Sequence, residues 1–287
     1  PYFVNEEVSI IRRGNQMKYK GKNIDFKKNT KWDRTWETKE DYHAFIFECL
    51  QEFYRLLKPH RHVVMFCDKK DISVFGYRAE EIGFKFRSPF FWIKTNPVPQ
   101  ARQVSPMKSV EIALWLTKGK PKRDFYNWQL GMHSDIIYAP IPTSEGNSFR
   151  HPTQKPLFVG LYFTALLSKP GDICLDPFAG SLTFPLAFKL LNRQFIGVER
   201  EENYIANSLL RLQEGVKNKT VENILNKFIE FMLAKMNNKH KQEFVEILAL
   251  EEIARETSKI RKLLLSIENS EIKPTNENQL VLFGNGE

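Results

Sequence analysis

The first half of the chain alternates between helical and strand-like spacing of its apolar residues. From Thr38 to Leu57 apolar side chains recur every three or four positions, which predicts an amphipathic helix that the following Lys-Pro pair ends. The continuous apolar run Val63–Cys67 predicts a buried strand. Further predicted elements are a helix at Asp71–Ile82 and strands at Phe90–Lys94 and Ser109–Leu116.

A strand, a small-residue turn and a helix follow one another in the second half. The apolar run Ile173–Leu175 stops at Asp176, and helical spacing resumes over Thr183–Leu191. A second strand, Phe195–Val198, ends in Glu199. This order predicts the nucleotide-binding half of a doubly wound α/β sheet, in which an acid roughly twenty residues after the turn binds a ribose diol. The turn alone is equally compatible with Asp176 as an N-cap or a loop acid.

From Lys217 onward the pattern changes to long amphipathic stripes. Val221, Leu225 and Phe228 recur at helical spacing, and a second helical run is predicted from Gln242 to Ile267. We expect this extension, residues 214–268, to be a packing surface against the core or against a partner subunit, as in a homodimer or a modification complex. Residues 269–287 have the composition of a disordered tail.

Composition narrows the class of partner and the compartment. The 287 residues carry a net charge of +9, which favours a polyanionic partner such as nucleic acid. No apolar run reaches the length of about 18 residues that a transmembrane helix needs, and the start lacks a signal-peptide pattern, so a cytoplasmic protein is predicted. The three cysteines lack metal-ligand spacing, and His151 has no second ligand three or four residues away, so we predict no metal.

Three motifs occur in a specific order: HPTQKP from His151, DPFAGS from Asp176, and GVERE ending at Glu201. Together they resemble the β class of S-adenosylmethionine-dependent DNA amino-methyltransferases, in which a permuted chain places the catalytic half first. The resemblance covers residues 1–213, with a short target-recognition region at about 118–150. It implies a Rossmann-like, mostly parallel sheet, S-adenosylmethionine as cofactor, and double-stranded DNA of a prokaryote or phage as substrate.

The resemblance also implies cofactor-binding residues. HPTQKP lies against the methionine end of the cofactor in this family, so Lys155 either meets the carboxylate or caps the sheet edge. Phe178 to Ser181 line the cofactor, and Glu199 holds the ribose hydroxyls. The complete predicted set is His151, Thr153, Lys155, Asp176, Phe178, Ala179, Gly180, Ser181, Thr183 and Glu199.

Pro1 and Tyr2 match the last two members of the family's catalytic tetrapeptide. The resemblance implies that the Pro1 carbonyl helps to hold the target amine and that Tyr2 stacks on the extruded base, replacing its lost stacking in the duplex. In the family, the strand before this tetrapeptide lies beside the strand that ends at Asp176. We therefore expect a preceding segment or a separate chain to supply that strand, because its absence would leave sheet edges unpaired.

Basic residues around these motifs are candidates for DNA contacts. The polar stretch Asn5–Asp33 is either a solvated loop or a loop that orders on phosphates, and the latter is favoured. The string WIKTNPVP resembles a family motif near the target base and adds Lys94 and Asn96. The predicted contacts are Arg12, Arg13, Lys94, Asn96, Arg102, Lys108, Lys120, Lys122 and Arg123. WIKTNPVP and VERE look most like adenine-specific members, so adenine N6 is favoured over cytosine N4.

One position departs from the family pattern. Leu182 follows DPFAGS where a glycine is usual, and a left-handed backbone there would cost leucine about 1–2 kcal/mol. This departure and the incomplete tetrapeptide leave a second hypothesis open: a catalytically silent homologue that binds DNA or acts as a scaffold in a modification complex. An RNA or protein amine methyltransferase is a third.

Overall fold

The computed structural model describes residues 17–19, 22–24, 36–99, 105–142, 153–236, 240–257, 261–262 and 265. The chain divides into two compact units. The first comprises residues 1–92 and 96–120, and the second comprises residues 93–95 and 121–287. Each unit is described by itself below.

The first unit is a strand layer covered by two helices. Helix α1 (Lys39–Leu56) begins at a capping box, in which Thr38 Oγ1 accepts from the Asp41 N–H and the Asp41 carboxylate accepts from the Thr38 N–H. Helix α2 (Ile72–Ile82) ends at Gly83, whose φ of 117° suits glycine. The layer contains β3 (His62–Cys67), β4 (Phe84–Lys94) and β5 (Val110–Lys118). Strands β1 (Met17–Tyr19) and β2 (Lys22–Ile24) pair antiparallel in a separate two-stranded sheet, within the stretch Asn5–Asp33 that was predicted to be a loop.

Strands β3 and β5 form the centre of this unit's core. They pair antiparallel, with Met65 opposite Leu114. The apolar stripe of α1 and one face of α2 pack on these strands through fully buried residues, including Ile46 and Phe75. The predicted helix boundaries of this half are confirmed to within one residue. Strand β4 begins six residues earlier than predicted. Phe84–Arg87 alternates apolar and polar residues as a strand does, and β4 continues through Pro89, a residue type that normally interrupts a strand.

The second unit contains the predicted strand–turn–helix. Helix α3 (Leu157–Leu167) is buried along almost its whole length, and a Cβ on its Gly160 would lie 3.1 Å from the Ala187 Cβ of α4. That spacing lets the two helices approach closely. The other elements here are β6 (Ile136–Ala139), β7 (Ile173–Asp176), α4 (Thr183–Leu190), β8 (Gln194–Gly197) and α5 (Glu202–Glu214). Strand β6 was not predicted, because its four residues lie within the stretch 118–150, which was assigned to target recognition and not to the sheet.

The C-terminal extension packs within the second unit. Its helices are α6 (Lys219–Leu233), α7 (Lys241–Ile247) and α8 (Leu250–Glu256). The predicted stripe of α6 is fully buried, with Phe228 edge-on to Phe158 of α3 at 5.5 Å. The stripe therefore packs inside the second unit. Of the two predicted alternatives, the core and a partner subunit, the core is the one observed. The single long run predicted after Gln242 is wrong, since Ala249 adopts φ 52° and separates α7 from α8.

Strands β7 and β8 present an apolar face to solvent. They pair in parallel with Leu175 opposite Ile196, so Ile173, Leu175, Ile196 and Val198 share one face. Ile173 is 67% and Ile196 55% exposed. Parallel strands in proteins are usually covered on both faces. A further strand would pair with an edge of this sheet and would not cover this face, so the expectation of such a strand stays a prediction.

Among the described residues, no helix is long and apolar enough to cross a membrane. In the same residues, no group of three or more His, Cys, Asp or Glu side chains is arranged to hold a metal ion.

Candidate cofactor site

The carboxyl ends of β7 and β8 bring two acids to one edge of the sheet. The register places Asp176 opposite Gly197, and the Val198 N–H donates to the Asp176 carbonyl at 2.9 Å. The Ala179 N–H in turn donates to the Val198 carbonyl at 2.9 Å, which fastens the turn to the end of β8. In open α/β sheets the crevice at the carboxyl ends of the strands is where ligands bind.

Backbone donors fix the carboxylate of Glu199. Its Oε2 accepts from the Gly180 N–H at 2.6 Å, and its Oε1 accepts from the N–H groups of Arg200 at 2.9 Å and Glu201 at 3.0 Å. Each carboxylate oxygen has two acceptor positions, so Oε2 retains one. The side chain is thereby preorganised at the edge of the turn with a free lone pair for a further donor.

The Asp176 carboxyl is harder to ionise than an ordinary one. Burial raises its pKa to about 6, and the nearby charge of Glu199 acts in the same direction. A hydrogen bond from the Phe178 N–H to Oδ1 (3.2 Å) opposes both effects. The exposed ring of Phe178 completes the edge, so the site combines two acids with an aromatic face.

Two residues of the turn, separated by Ser181, have a left-handed backbone. Gly180 has φ 49°, and Leu182, the N-cap of α4, has φ 53° and ψ 32°. The left-handed backbone expected for a glycine at position 182 is therefore adopted by leucine. Its side chain is 7% exposed, and its Cδ2 would lie 3.9 Å from a Cβ built on Gly197. The leucine side chain is thus packed against the end of β8 at an ordinary van der Waals distance.

The hydroxyl groups of Ser181 and Thr183 are turned into the protein. Thr183 Oγ1 donates to the Lys155 carbonyl at 3.2 Å and lies 3.2 Å from Ser181 Oγ. Both side chains are buried. Any contact that these two residues make with a cofactor would thus have to use the backbone. The Lys155 ammonium donates to the Thr153 carbonyl at 3.2 Å, within the HPTQKP segment.

The predicted DNA-contacting residues that the structure describes are mostly on the surface. Asn96, Lys108, Lys120, Lys122 and Arg123 are exposed, and Lys94 is half-buried. The Arg123 guanidinium lies 3.6 Å from the centre of the Trp128 ring, a cation–π contact that orients it. The remaining predicted site residues, Pro1, Tyr2, Arg12, Arg13, Arg102 and His151, lie outside the described residues.

Comparison with known sequences assigns the chain to a family. The sequence model of the N6/N4 DNA methylases matches residues 1–209. The chain belongs to this family. Type II methyltransferase M2.DpnII of Streptococcus pneumoniae is 31% identical over 191 residues, which is 63% of this chain and 71% of that protein. Type II methyltransferase M.HinfI of Haemophilus influenzae is 30% identical over 230 residues, 75% of this chain and 61% of its own length.

Solved structures of DNA methylases share the fold. The crystal structure of the M1.HpyAVI complex with S-adenosylmethionine aligns with a TM-score of 0.54 at 32% identity, covering 60% of this chain and 84% of that one. The cytosine-N4-specific PvuII DNA methyltransferase gives a TM-score of 0.54 at 21% identity, covering 68% and 80%, which shows the fold alone. The predicted family and fold class are confirmed.

Two residues that shape the site are missing from the predicted set. Gly197 is the first residue of the GVERE motif but was given no role there, yet a Cβ on it would meet Pro185 Cγ at 3.3 Å and Ala179 Cβ at 3.5 Å. Arg211 lies in an amphipathic helix, where an arginine is normally solvated, but its side chain is 1% exposed. The packing at Gly197 and the burial of Arg211 result from contacts between segments that are distant in the chain. Hydrophobic periodicity gives no information on such contacts.

Proposed function

We propose that this DNA methylase transfers a methyl group from S-adenosylmethionine to the exocyclic amine of a base in double-stranded DNA. The observation that carries the proposal is the pairing of Asp176 with a backbone-fixed Glu199 at the ends of adjacent parallel strands, beside the exposed ring of Phe178. S-adenosylmethionine, when bound, supplies an electrophilic methyl group on a sulfonium.

The residues of this edge fit such a cofactor. The free acceptor position on Glu199 suits a ribose hydroxyl, and the negative charge shared by the two acids suits a ligand with cationic sulfonium and ammonium groups. The aromatic face of Phe178 suits an adenine ring. Thr153, Lys155 and His151 of the HPTQKP segment remain candidates for its methionine end, with Ala179, Gly180, Ser181 and Thr183 offering backbone.

The substrate side of the proposal rests on the family. Pro1 and Tyr2 would hold the target amine and stack on the flipped base, since an exocyclic amine needs acceptors and in-line alignment to act as a nucleophile. The predicted basic residues would neutralise phosphates, in keeping with the net charge of +9. Adenine N6 stays the favoured target over cytosine N4, on the likeness of the WIKTNPVP and VERE strings to adenine-specific enzymes.

The Type II relatives suggest a setting for this activity. The protein would be the modification enzyme of a bacterial or phage restriction-modification system and would act in the cytoplasm. A partner subunit is a separate proposal, and it would have to use a surface other than the buried stripe of α6.

The competing proposal is a catalytically silent homologue that binds DNA as a scaffold. Leu182 favours it, because leucine in a left-handed turn is a departure at the cofactor edge. The burial of that side chain weakens it, because Leu182 is only 7% exposed and packs against the end of β8.

Methyl transfer to nucleic acid separates these functions. Duplex DNA containing many different sites, single-stranded RNA and the protein itself are incubated with S-adenosylmethionine carrying a labelled methyl group. The proposal expects label in DNA, released as N6-methyladenine on digestion, and its loss in the Glu199→Gln variant. Label as N4-methylcytosine would correct the base, and label only in RNA would overturn the substrate. DNA binding without label in any substrate would establish the scaffold.

A further inference from the structure

A buried arginine of α5 reaches the N-terminus of α4. Arg211 is 1% exposed, and its Nη1 donates to Thr183 Oγ1 at 3.3 Å. Thr183 is the first residue of α4, directly after the cofactor turn. Arginine is rarely fully buried, because removing its charge from water is unfavourable unless its donors are used. The position of this guanidinium therefore depends on the groups around it.

The donors and acceptors at Thr183 define one arrangement. A threonine hydroxyl has one hydrogen and two lone pairs. The Lys155 carbonyl can only accept and Arg211 can only donate, so the hydroxyl hydrogen goes to Lys155 and one lone pair accepts from Arg211. The second lone pair is left for Ser181 Oγ at 3.2 Å, which makes Ser181 the donor. All three capacities of the hydroxyl are then used.

These contacts join three segments at the buried Thr183 hydroxyl, at the start of α4. Lys155 lies in HPTQKP, Ser181 lies in the turn, and Arg211 lies in α5. The contacts described above also hold the turn through the Asp176 carboxylate, through Glu199 and through the end of β8. A change in the contact between Arg211 and the Thr183 hydroxyl would reach both the turn and the HPTQKP segment.

We propose that Arg211 is a positioning residue, which sets the geometry of the cofactor turn from behind through Thr183 and so tunes cofactor affinity. Arg211 is buried and would act through Thr183, without contact with the transferred methyl group or the target amine. The claim that Arg211 affects cofactor affinity rests on the proposed function, whereas the claim that Arg211 positions the turn does not.

The second unit offers a matched control. Arg193 is also buried, with Nη1 donating to the Ile247 carbonyl at 2.8 Å and Nη2 to the Ser168 carbonyl at 2.6 Å. It precedes β8 and so stands at the opposite end of that strand from Glu199. Arg193→Met removes a buried guanidinium of the same kind without touching the turn.

The test compares Arg211→Met, Arg211→Lys, Thr183→Val and Thr183→Ser with Arg193→Met. Two quantities are measured: amide hydrogen exchange of the peptide 177–186, and the dissociation constant of S-adenosylmethionine. We expect Arg211→Met and Thr183→Val to speed exchange in that peptide and to weaken binding by about tenfold. Thr183→Ser keeps the hydroxyl and should show the exchange rate and the affinity of the unaltered protein. Arg193→Met should lower the melting temperature without changing either quantity.

The outcomes separate the two claims. Exchange in peptide 177–186 that is the same in Arg211→Met as in Arg193→Met overturns the positioning role, whatever the affinity. If the unaltered protein binds no S-adenosylmethionine but the exchange pattern is as expected, the proposed function fails and the role of Arg211 in the turn stands. Should Arg211→Met not fold, Arg211→Lys and the Thr183 pair decide: equal exchange in Thr183→Val and Thr183→Ser overturns the inference.

Discussion

Replacing Leu182 tests the left-handed turn, because two small substitutions should rank in an unusual order. The position has φ 53° and ψ 32°, and its side chain is 7% exposed. Glycine removes a left-handed strain of about 1–2 kcal/mol but loses about 1.5–3 kcal/mol of side-chain burial. It also adds about 0.5–1 kcal/mol of unfolded-chain entropy. The expected net result for Leu182→Gly is destabilisation by about 1–2 kcal/mol, although the substitution relieves strain.

Leu182→Ala is the informative comparison. Alanine loses nearly the same burial and keeps the left-handed strain, so it should be less stable than the glycine variant by about 0.5–1 kcal/mol. In helices and strands the order is the opposite. Urea unfolding followed by circular dichroism gives both differences. An alanine variant as stable as the glycine variant would refute a left-handed residue 182. Restored or strongly improved cofactor binding in Leu182→Gly would refute the inward direction of its side chain.

Two further stability predictions concern residues of strand β7. The folded-state pKa of Asp176 is raised from 3.8 to about 6, so the folded protein holds this proton more tightly than the unfolded chain, and stability is lost as pH rises through 4 to 6. Asp176→Asn should therefore be more stable than the unaltered protein at pH 7, with the difference shrinking towards pH 4; a difference that does not depend on pH would contradict the raised pKa. Ile173→Thr tests whether another polypeptide covers the β7–β8 face. A solvent-exposed site tolerates the change within about 0.5 kcal/mol, whereas a loss of about 1–3 kcal/mol would indicate that the face is covered.

Local pattern was sufficient for the parts of the fold that are built from neighbouring residues. The stripe of α1 with its Thr38 cap, and the strand ending at Asp176, follow from spacing and residue type alone. The break at Ala249 could not be predicted, because nothing in an apolar-periodic run marks one non-glycine residue for a left-handed conformation. For the same reason, the sequence analysis could give the cost of a left-handed backbone at Leu182 but could not predict that this backbone is adopted.

Sequence patterns predicted a set of site residues but not their arrangement. Spacing predicted that Glu199 binds a ribose diol, and the resemblance placed Asp176 in the same cofactor site. The parallel register brings the ends of both strands together, and cofactor binding by the two acids stays a prediction. The use of the Glu199 carboxylate by Gly180, and the inward turn of the Ser181 and Thr183 hydroxyls, depend on which partners meet across the fold. Long-range partner choice of this kind has no local signature.

Calorimetric titration of S-adenosylmethionine into the unaltered protein and into Glu199→Gln tests the central claim most directly. Glu201→Gln is the matched control, since that acid is two residues away and pairs with Arg200 at 3.2 Å. The account predicts saturable binding by the unaltered protein and by Glu201→Gln, and binding weakened at least about tenfold in Glu199→Gln. Equal affinity in all three proteins, or no binding by the unaltered one, would contradict a cofactor site at the ends of β7 and β8.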